Sequence, residues 1–236
     1  MDSTAPRGAH EDKLKELAPK LVHEARNILN AMRAQLALLK KKGSRNPIDL
    51  ERYTGNLDRL IVELDNLFHS FLTFARPPRS APQPVDVRAL AREVLEFVSL
   101  DLQQSKIQVE EQYDENVPLV LADRDRLRSV LLNLILNAKQ SMCEGGRLGV
   151  RVYRDAENLV VEVRDTGCGI PEEVRQRIFE PFYSTKPGGT GLGLAIVKQT
   201  VDELGGQIEV SSREGAGTVF RIMLPIPVPT GAGPEQ

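Results

Sequence analysis

The sequence predicts an α+β chain in two parts: a helical hairpin that pairs with a second copy into a four-helix bundle, then an α/β sandwich domain with a mixed sheet. Three observations predict it. Apolar residues recur at heptad steps through the first third of the chain, a proline-dense stretch (RPPRSAPQP, 76–84) interrupts them, and short alternating strand and helix patterns follow. The division that results is a polar tail over 1–12, the hairpin over 13–76, a proline-rich linker over 77–84, the second domain over 85–226 and a tail over 227–236.

The first helix, about 12–42, carries Leu14, Leu17, Leu21, Ile28, Ala31 and Leu38 at heptad steps, and Val22, Leu29, Met32, Leu36 and Leu39 widen the stripe. Gly43-Ser44-Arg45-Asn46-Pro47 breaks it. In the second helix Leu50, Tyr53, Leu57, Leu60, Leu64, Leu67, Phe71 and Phe74 alternate in steps of three and four. A single hairpin leaves a long apolar face uncovered, and pairing two hairpins buries it, which predicts a homodimer. Beyond the prolines, helices are expected near 87–105, 124–142, 172–178 and 192–204, and strands over 107–112, 148–154, 159–164, 207–212 and 218–224. The hairpin-like succession of the later strands argues for a largely antiparallel mixed sheet with helices on one face.

Bulk properties narrow the function. At 236 residues and 41% apolar content the chain can bury a core, and 31 basic against 33 acidic residues leave no global field to attract nucleic acid. The apolar runs around Val130 to Leu136 fall far short of the roughly 18 residues a membrane span requires. The polar N-terminus carries no export pattern, which points to a cytoplasmic protein, and Cys143 and Cys168 lack metal-ligand spacing and read as free thiols.

Several segments of the second half carry chemistry. Asn133 and Asn137 lie one helical turn apart on an otherwise apolar helix, and Asn137 offers a neutral oxygen suited to Mg²⁺. Asp165-Thr166-Gly167-Cys168-Gly169-Ile170 follows a strand, so its carboxylate can accept from an exocyclic amine, while Gly167 and Gly169 permit positive φ and close backbone approach. Ile178-Phe179-Glu180-Pro181-Phe182-Tyr183-Ser184-Thr185-Lys186 precedes Gly188-Gly189-Thr190-Gly191-Leu192-Gly193-Leu194, a glycine segment leading into a helix, whose amides suit phosphate with Lys186 as a nearby cation. That segment lacks the last residue of a dinucleotide fingerprint, and the chain has no P-loop ending. Taken singly, each of these would be an ordinary turn or helix amide.

In order, NLILNA, DTGCGI, IFEPFYSTK and GTGLGLAIV resemble the asparagine, first glycine, phenylalanine and second glycine boxes of the gyrase and histidine-kinase ATPase superfamily. Gly215-Ala216-Gly217-Thr218-Val219-Phe220 resembles its last nucleotide-domain strand, with Thr218 near the adenine pocket; the resemblance spans about 84–225. His23-Glu24-Ala25-Arg26-Asn27 in the first helix resembles the phosphoacceptor motif of dimerising histidine kinases, whereas a zinc-protease helix would need histidine at position 27. The resemblance implies an ATP- and Mg²⁺-dependent kinase that phosphorylates His23 and passes the group to the receiver domain of a response regulator. It gives Glu24 an acid/base or orienting role and Asn27 a water-positioning role in a reverse phosphatase reaction. Asn133, Asn137, Asp165, Gly167, Gly169, Lys186, Gly189, Thr190, Gly191, Leu192, Gly193 and Thr218 would hold the nucleotide, and Asn137 the metal.

The chain departs from the family pattern at Ile28, where many relatives have proline, and at Gln140, where some carry a basic residue. No sensor domain fits before Lys13, so a signal would arrive through a separate sensor partner, the helix itself or further parts of a longer chain. Two competing readings are a docking adaptor with an inactive ATP domain and a serine kinase sharing only the nucleotide domain. The first should have lost Asn137, Asp165 or the lid glycines, and all are present.

Overall fold

The structure is a computed structural model that describes residues 5–43, 47–75, 82–186 and 189–226. Residues 44–46 of the breaker expected over 43–47, most of the proline-rich stretch (76–81), Pro187, Gly188 and the tail over 227–236 lie outside the described residues. The chain divides into two compact units: Met1–Pro77 with Glu180–Leu192, and Pro78–Phe179 with Gly193–Gln236.

The first unit contains α1 (Ala5–Leu38), a π-helical turn over Leu39–Gly43, and α2 (Pro47–Ala75). Helix α1 begins before the expected 12, so part of the stretch read as a polar tail is helical, and Pro19 lies inside it, removing one i→i−4 hydrogen bond. The heptad reading of α2 is legible in its burial. Tyr53, Leu60, Leu67 and Phe74, seven residues apart, are buried, and Leu57, Leu64 and Phe71 between them are half-buried. Leu50, assigned to the same stripe, is exposed.

The second unit is an α/β sandwich. Strands β2 (Ile107–Tyr113), β4 (Gly146–Asp155), β5 (Asn158–Asp165), β6 (Gln207–Arg213) and β7 (Gly217–Pro225) form a sheet in the order β2-β4-β5-β7-β6. Only β2 with β4 is parallel, because the chain between them runs through β3 (Val120–Ala122) and α5 (Arg124–Ser141); the other three pairs are antiparallel. One face packs on α3 (Val87–Phe97), α5 and α7 (Gly193–Glu203), whose apolar stripes include Val87, Leu90, Val94, Leu127, Leu131, Leu134, Val197 and Val201. These meet Leu148, Val150, Val152, Leu159, Val161, Val163 and Phe220, Ile222 and Leu224 of the sheet. The opposite face carries Arg151, Glu162 and Arg221 in cross-strand register, and the nearly buried Glu162 is paired with both arginines.

Three details differ from the sequence reading. The helix expected over 87–105 is broken at Val98 into α3 and α4 (Ser99–Gln104), with Val98 itself buried. Strand β1 (Gln83–Val85) begins inside the expected linker and pairs antiparallel with β3 as a separate small sheet. The helix expected over 172–178 is a single turn, α6 (Glu172–Arg175).

Candidate nucleotide site

Helix α5 starts where it does because Asp123 caps it, its carboxylate accepting from the N–H groups of Asp125 (3.0 Å) and Arg126 (3.3 Å). With Leu127, Val130, Leu131, Leu134, Ile135 and Ala138 buried, the helix is fixed in rotation, and Asn133 and Asn137 share a half-buried flank one turn apart. The Asn133 side-chain amide donates to the Ser129 carbonyl at 2.9 Å. A Cβ at Gly193 would stand 2.7 Å from Asn133 Oδ1, so the first residue of α7 must be small for that amide to lie where it does.

Strand β5 ends at Asp165, whose side chain alternates onto the core face and is only 4% exposed. Its Oδ1 accepts the Gly167 N–H at 2.8 Å and the Ser141 hydroxyl at 2.9 Å. The Cys168 N–H donates to the Ser141 carbonyl at 3.0 Å. Thr218 lies opposite Asp165 in the β5–β7 register, is buried, and shares a 3.0 Å hydrogen bond with Ser212. The Ser212 hydroxyl also accepts the Ile170 N–H at 2.8 Å, and the Gly215 N–H donates to the Cys168 carbonyl at 2.8 Å. The turn after Asp165 is thus tied on one side to the end of α5 and on the other to the β6–β7 hairpin.

Two glycines are needed there for different reasons. Gly169 has φ +72°, and a Cβ on it would sit 2.2 Å from the Arg213 carbonyl oxygen. Gly167 is not in the left-handed region expected for it; its constraint is proximity, since a Cβ would lie 2.2 Å from Ser141 Oγ.

The remaining predicted binding residues, Lys186, Gly189, Thr190, Gly191 and Leu192, belong to the segment grouped with the helical unit. That segment is folded on itself. The Phe182 N–H donates to the Gly191 carbonyl at 3.0 Å, Phe182 and Gly191 both have positive φ, and a Cβ at Gly191 would meet the Phe182 carbonyl carbon at 2.4 Å. The Lys186 N–H donates to Ser184 Oγ at 3.1 Å, and the Gly189 N–H to the Lys186 carbonyl at 3.2 Å. On α1, His23 and Asn27 are exposed and share a face, and Glu24 is half-buried.

Within the sandwich unit, the structure therefore gathers Asn133, Gly193, Asp165, Gly167, Gly169 and Thr218 around α5, β5 and their turn. Sequence reading missed Ser141 and Ser212, which hold that turn; serines near a helix end and a strand end carry no distinguishing signal. The donor and acceptor set fits ATP, since Asp165 is a nearly buried, oriented acceptor for an amine. Among the described residues no group of three or more His, Cys, Asp or Glu could cage a metal. The half-buried Asn137 offers a neutral side-chain oxygen, the donor type accepted by a Mg²⁺ that shares its shell with phosphates. A groove of about 840 Å³ opens elsewhere, between α3, α4 and β2, and includes none of these residues.

Residues 122–228 match the family model for histidine kinase-, DNA gyrase B- and HSP90-like ATPases. The chain is 34% identical to signal transduction histidine-protein kinase AtoS of Escherichia coli (strain K12) across 90% of its own length and 35% of AtoS. It is 31% identical to sporulation kinase E of Bacillus subtilis (strain 168), across 89% of its length and 28% of that kinase. The chain thus spans about a third of the length of these curated relatives. Among solved structures, the catalytic domain of histidine kinase ThkA is 34% identical with a TM-score of 0.58, covering 62% of this chain and 96% of that domain. The crystal structure of ThkA in complex with response regulator protein TrrA has a TM-score of 0.76 at 27% identity, covering 93% of this chain and 64% of that one. With the asparagine-bearing helix, the glycine turn and the helical hairpin all matched by relatives of one kind, the chain belongs to the histidine kinase family.

Proposed function

We propose that this chain is the core of an ATP-dependent protein histidine kinase that phosphorylates His23 and passes the phosphoryl group to an aspartate of a response-regulator receiver domain. The observation that carries the reading is Asp165, a nearly buried carboxylate fixed by Ser141 and Gly167 at a strand end, in a chain that also presents an exposed His23 on a long helix. Bound ATP with Mg²⁺ supplies the transferable phosphoryl group and neutralises its charge. Asp165 selects adenine, Asn133 and Asn137 line the phosphate side, and Asn137 contributes an oxygen to the metal. An unprotonated ring nitrogen of His23 attacks in line, forming the N–P bond as the bridging P–O bond to ADP breaks. Half-buried Glu24 orients the imidazole or takes its proton, and exposed Asn27 positions water for dephosphorylation of the regulator.

The hairpin acts as a homodimer in this reading. Val22, Leu29 and Leu36, seven residues apart on α1, are 53%, 44% and 44% exposed, and Ile61, Val62, Phe68 and Leu72 of α2 are exposed as well. A heptad stripe left open on a helix next to His23 is the pattern a second copy covers. Among the described residues no helix is long and apolar enough to cross a membrane. We place the reaction in the cytoplasm, with input from a separate sensor or from further parts of a longer chain.

Incubation of the purified chain with γ-labelled ATP and Mg²⁺ tests the kinase reading. Acid-labile, alkali-stable label that is lost in His23→Gln is expected. Absence of label would favour a docking adaptor, and acid-stable label persisting in His23→Gln would favour a serine kinase.

A further inference from the structure

We propose that Ser141 is a positioning residue for adenine recognition: from the last turn of α5 it fixes the carboxylate that reads the base. The inference deepens the reading of Asp165 as acceptor for the adenine 6-amino group, and rests on it.

Two donors converge on Asp165 Oδ1, the Gly167 N–H at 2.8 Å and the Ser141 hydroxyl at 2.9 Å. They are not equivalent. Gly167 is two residues along the same turn and moves with it, so its bond sets local shape only. Ser141 is the last residue of α5, whose face bearing Leu134, Ile135 and Ala138 is locked in the core. Its bond therefore refers the carboxylate to the rigid part of the domain. The Ser141 carbonyl accepts the Cys168 N–H at 3.0 Å, so one residue holds the turn at two points, Asp165 and Cys168. Gly167 completes the joint, since any Cβ there would collide with Ser141 Oγ.

The Ser141 hydroxyl has one hydrogen and two acceptors in reach, the Ala138 carbonyl at 2.7 Å and Asp165 Oδ1. Of these two contacts, only the one to Asp165 Oδ1 ties the hydroxyl to the turn, and it is the one that bears on the base. Holding Oδ1 fixes the plane of the carboxylate and gives its other oxygen one direction. An acceptor with one direction discriminates an amine from its absence; a rotating one does so poorly.

The test is calorimetric titration of the whole chain with Mg-ATP and with purine riboside triphosphate, which keeps the sugar and phosphates and lacks the 6-amino group. Ser141→Ala is expected to weaken ATP binding about tenfold and to leave binding of the analogue within about twofold. Ser141→Cys, similar in size with a weak donor, should move ATP affinity the same way and guards against repacking in the alanine variant. Equal losses for both nucleotides, or no loss for either, overturn the role of Ser141. If the wild-type chain binds both nucleotides equally, Asp165 does not read the amine and the underlying assignment falls too. A wild-type preference for ATP that Ser141→Ala retains overturns the role of Ser141 alone.

Discussion

Gly169→Ala should be far more damaging than a one-carbon change suggests, and the structure allows its size to be worked out. Residue 169 sits at φ +72°, where a side-chain-bearing residue costs about 1 to 2 kcal/mol. The added Cβ would also stand 2.2 Å from the Arg213 carbonyl oxygen and 2.8 Å from its carbon. Ordinary contact begins near 3.5 Å, so the turn and the β6–β7 hairpin must separate by about 1 Å. Two hydrogen bonds cross that joint, Gly215 N–H to the Cys168 carbonyl and Ile170 N–H to Ser212 Oγ, each 2.8 Å. Such a separation carries both beyond useful range, at about 1 kcal/mol each. The total is about 3 to 4 kcal/mol, a large share of the stability of an ordinary domain. Gly215→Ala is the control: its φ is +75° but nothing lies within 4 Å of where the added methyl would stand, so it should lose only the conformational part. Urea denaturation followed by circular dichroism should show Gly169→Ala shifted by roughly 1.5 M and Gly215→Ala by less than half of that. Equal shifts for the two variants would refute the close approach of turn and hairpin.

Asp86 caps α3, accepting the Arg88 and Ala89 N–H groups at 2.9 and 3.3 Å, so Asp86→Ala should cost about 1 kcal/mol at neutral pH. The Arg88 side chain, with those N–H donors, holds the Asp86 carboxyl below its ordinary value against the opposing effect of burial. The folded state therefore binds fewer protons, and the contribution is present above the ordinary carboxylate range and lost as pH falls through the depressed value; the gap between wild type and variant should close between about pH 7 and about pH 2. Leu29→Glu with Leu36→Glu puts charge on the exposed heptad stripe of α1. Sedimentation should show a dimer for the wild-type chain and a monomer for the double variant, and an unchanged mass would remove the stripe from the interface.

Elements whose signal is local were legible in the sequence. The seven-residue spacing of Tyr53, Leu60, Leu67 and Phe74 marked the buried side of α2, and the strands and helices expected from Ile107 onward lie within a residue or two of observed elements, except that the helix expected over 172–178 is shorter. Features set by tertiary contact were not. Strands β1 and β3 have three residues each, too few for alternation to register, and exist because Gln83, Pro84 and Val85 meet Ala122, Leu121 and Val120. The break at Val98 has no glycine or proline to announce it. At the site, Asp165 and its glycines stood out as a motif, but their supports did not. Ser141 and Ser212 are distant from Asp165 in sequence, and only the packing of α5 and the β6–β7 hairpin against one turn reveals their function.

The proposed kinase reaction requires a nucleotide seated against the turn after Asp165. Titration of the ¹⁵N-labelled chain with Mg-ADP, read from backbone and side-chain amide resonances, measures this directly. Saturable shifts are expected at Gly167, Cys168 and Gly169 and at the side-chain amides of Asn133 and Asn137, all reporting one affinity. Shifts confined to the groove beside Leu95, Ser99 and Gln108, with those amides unmoved, would contradict it.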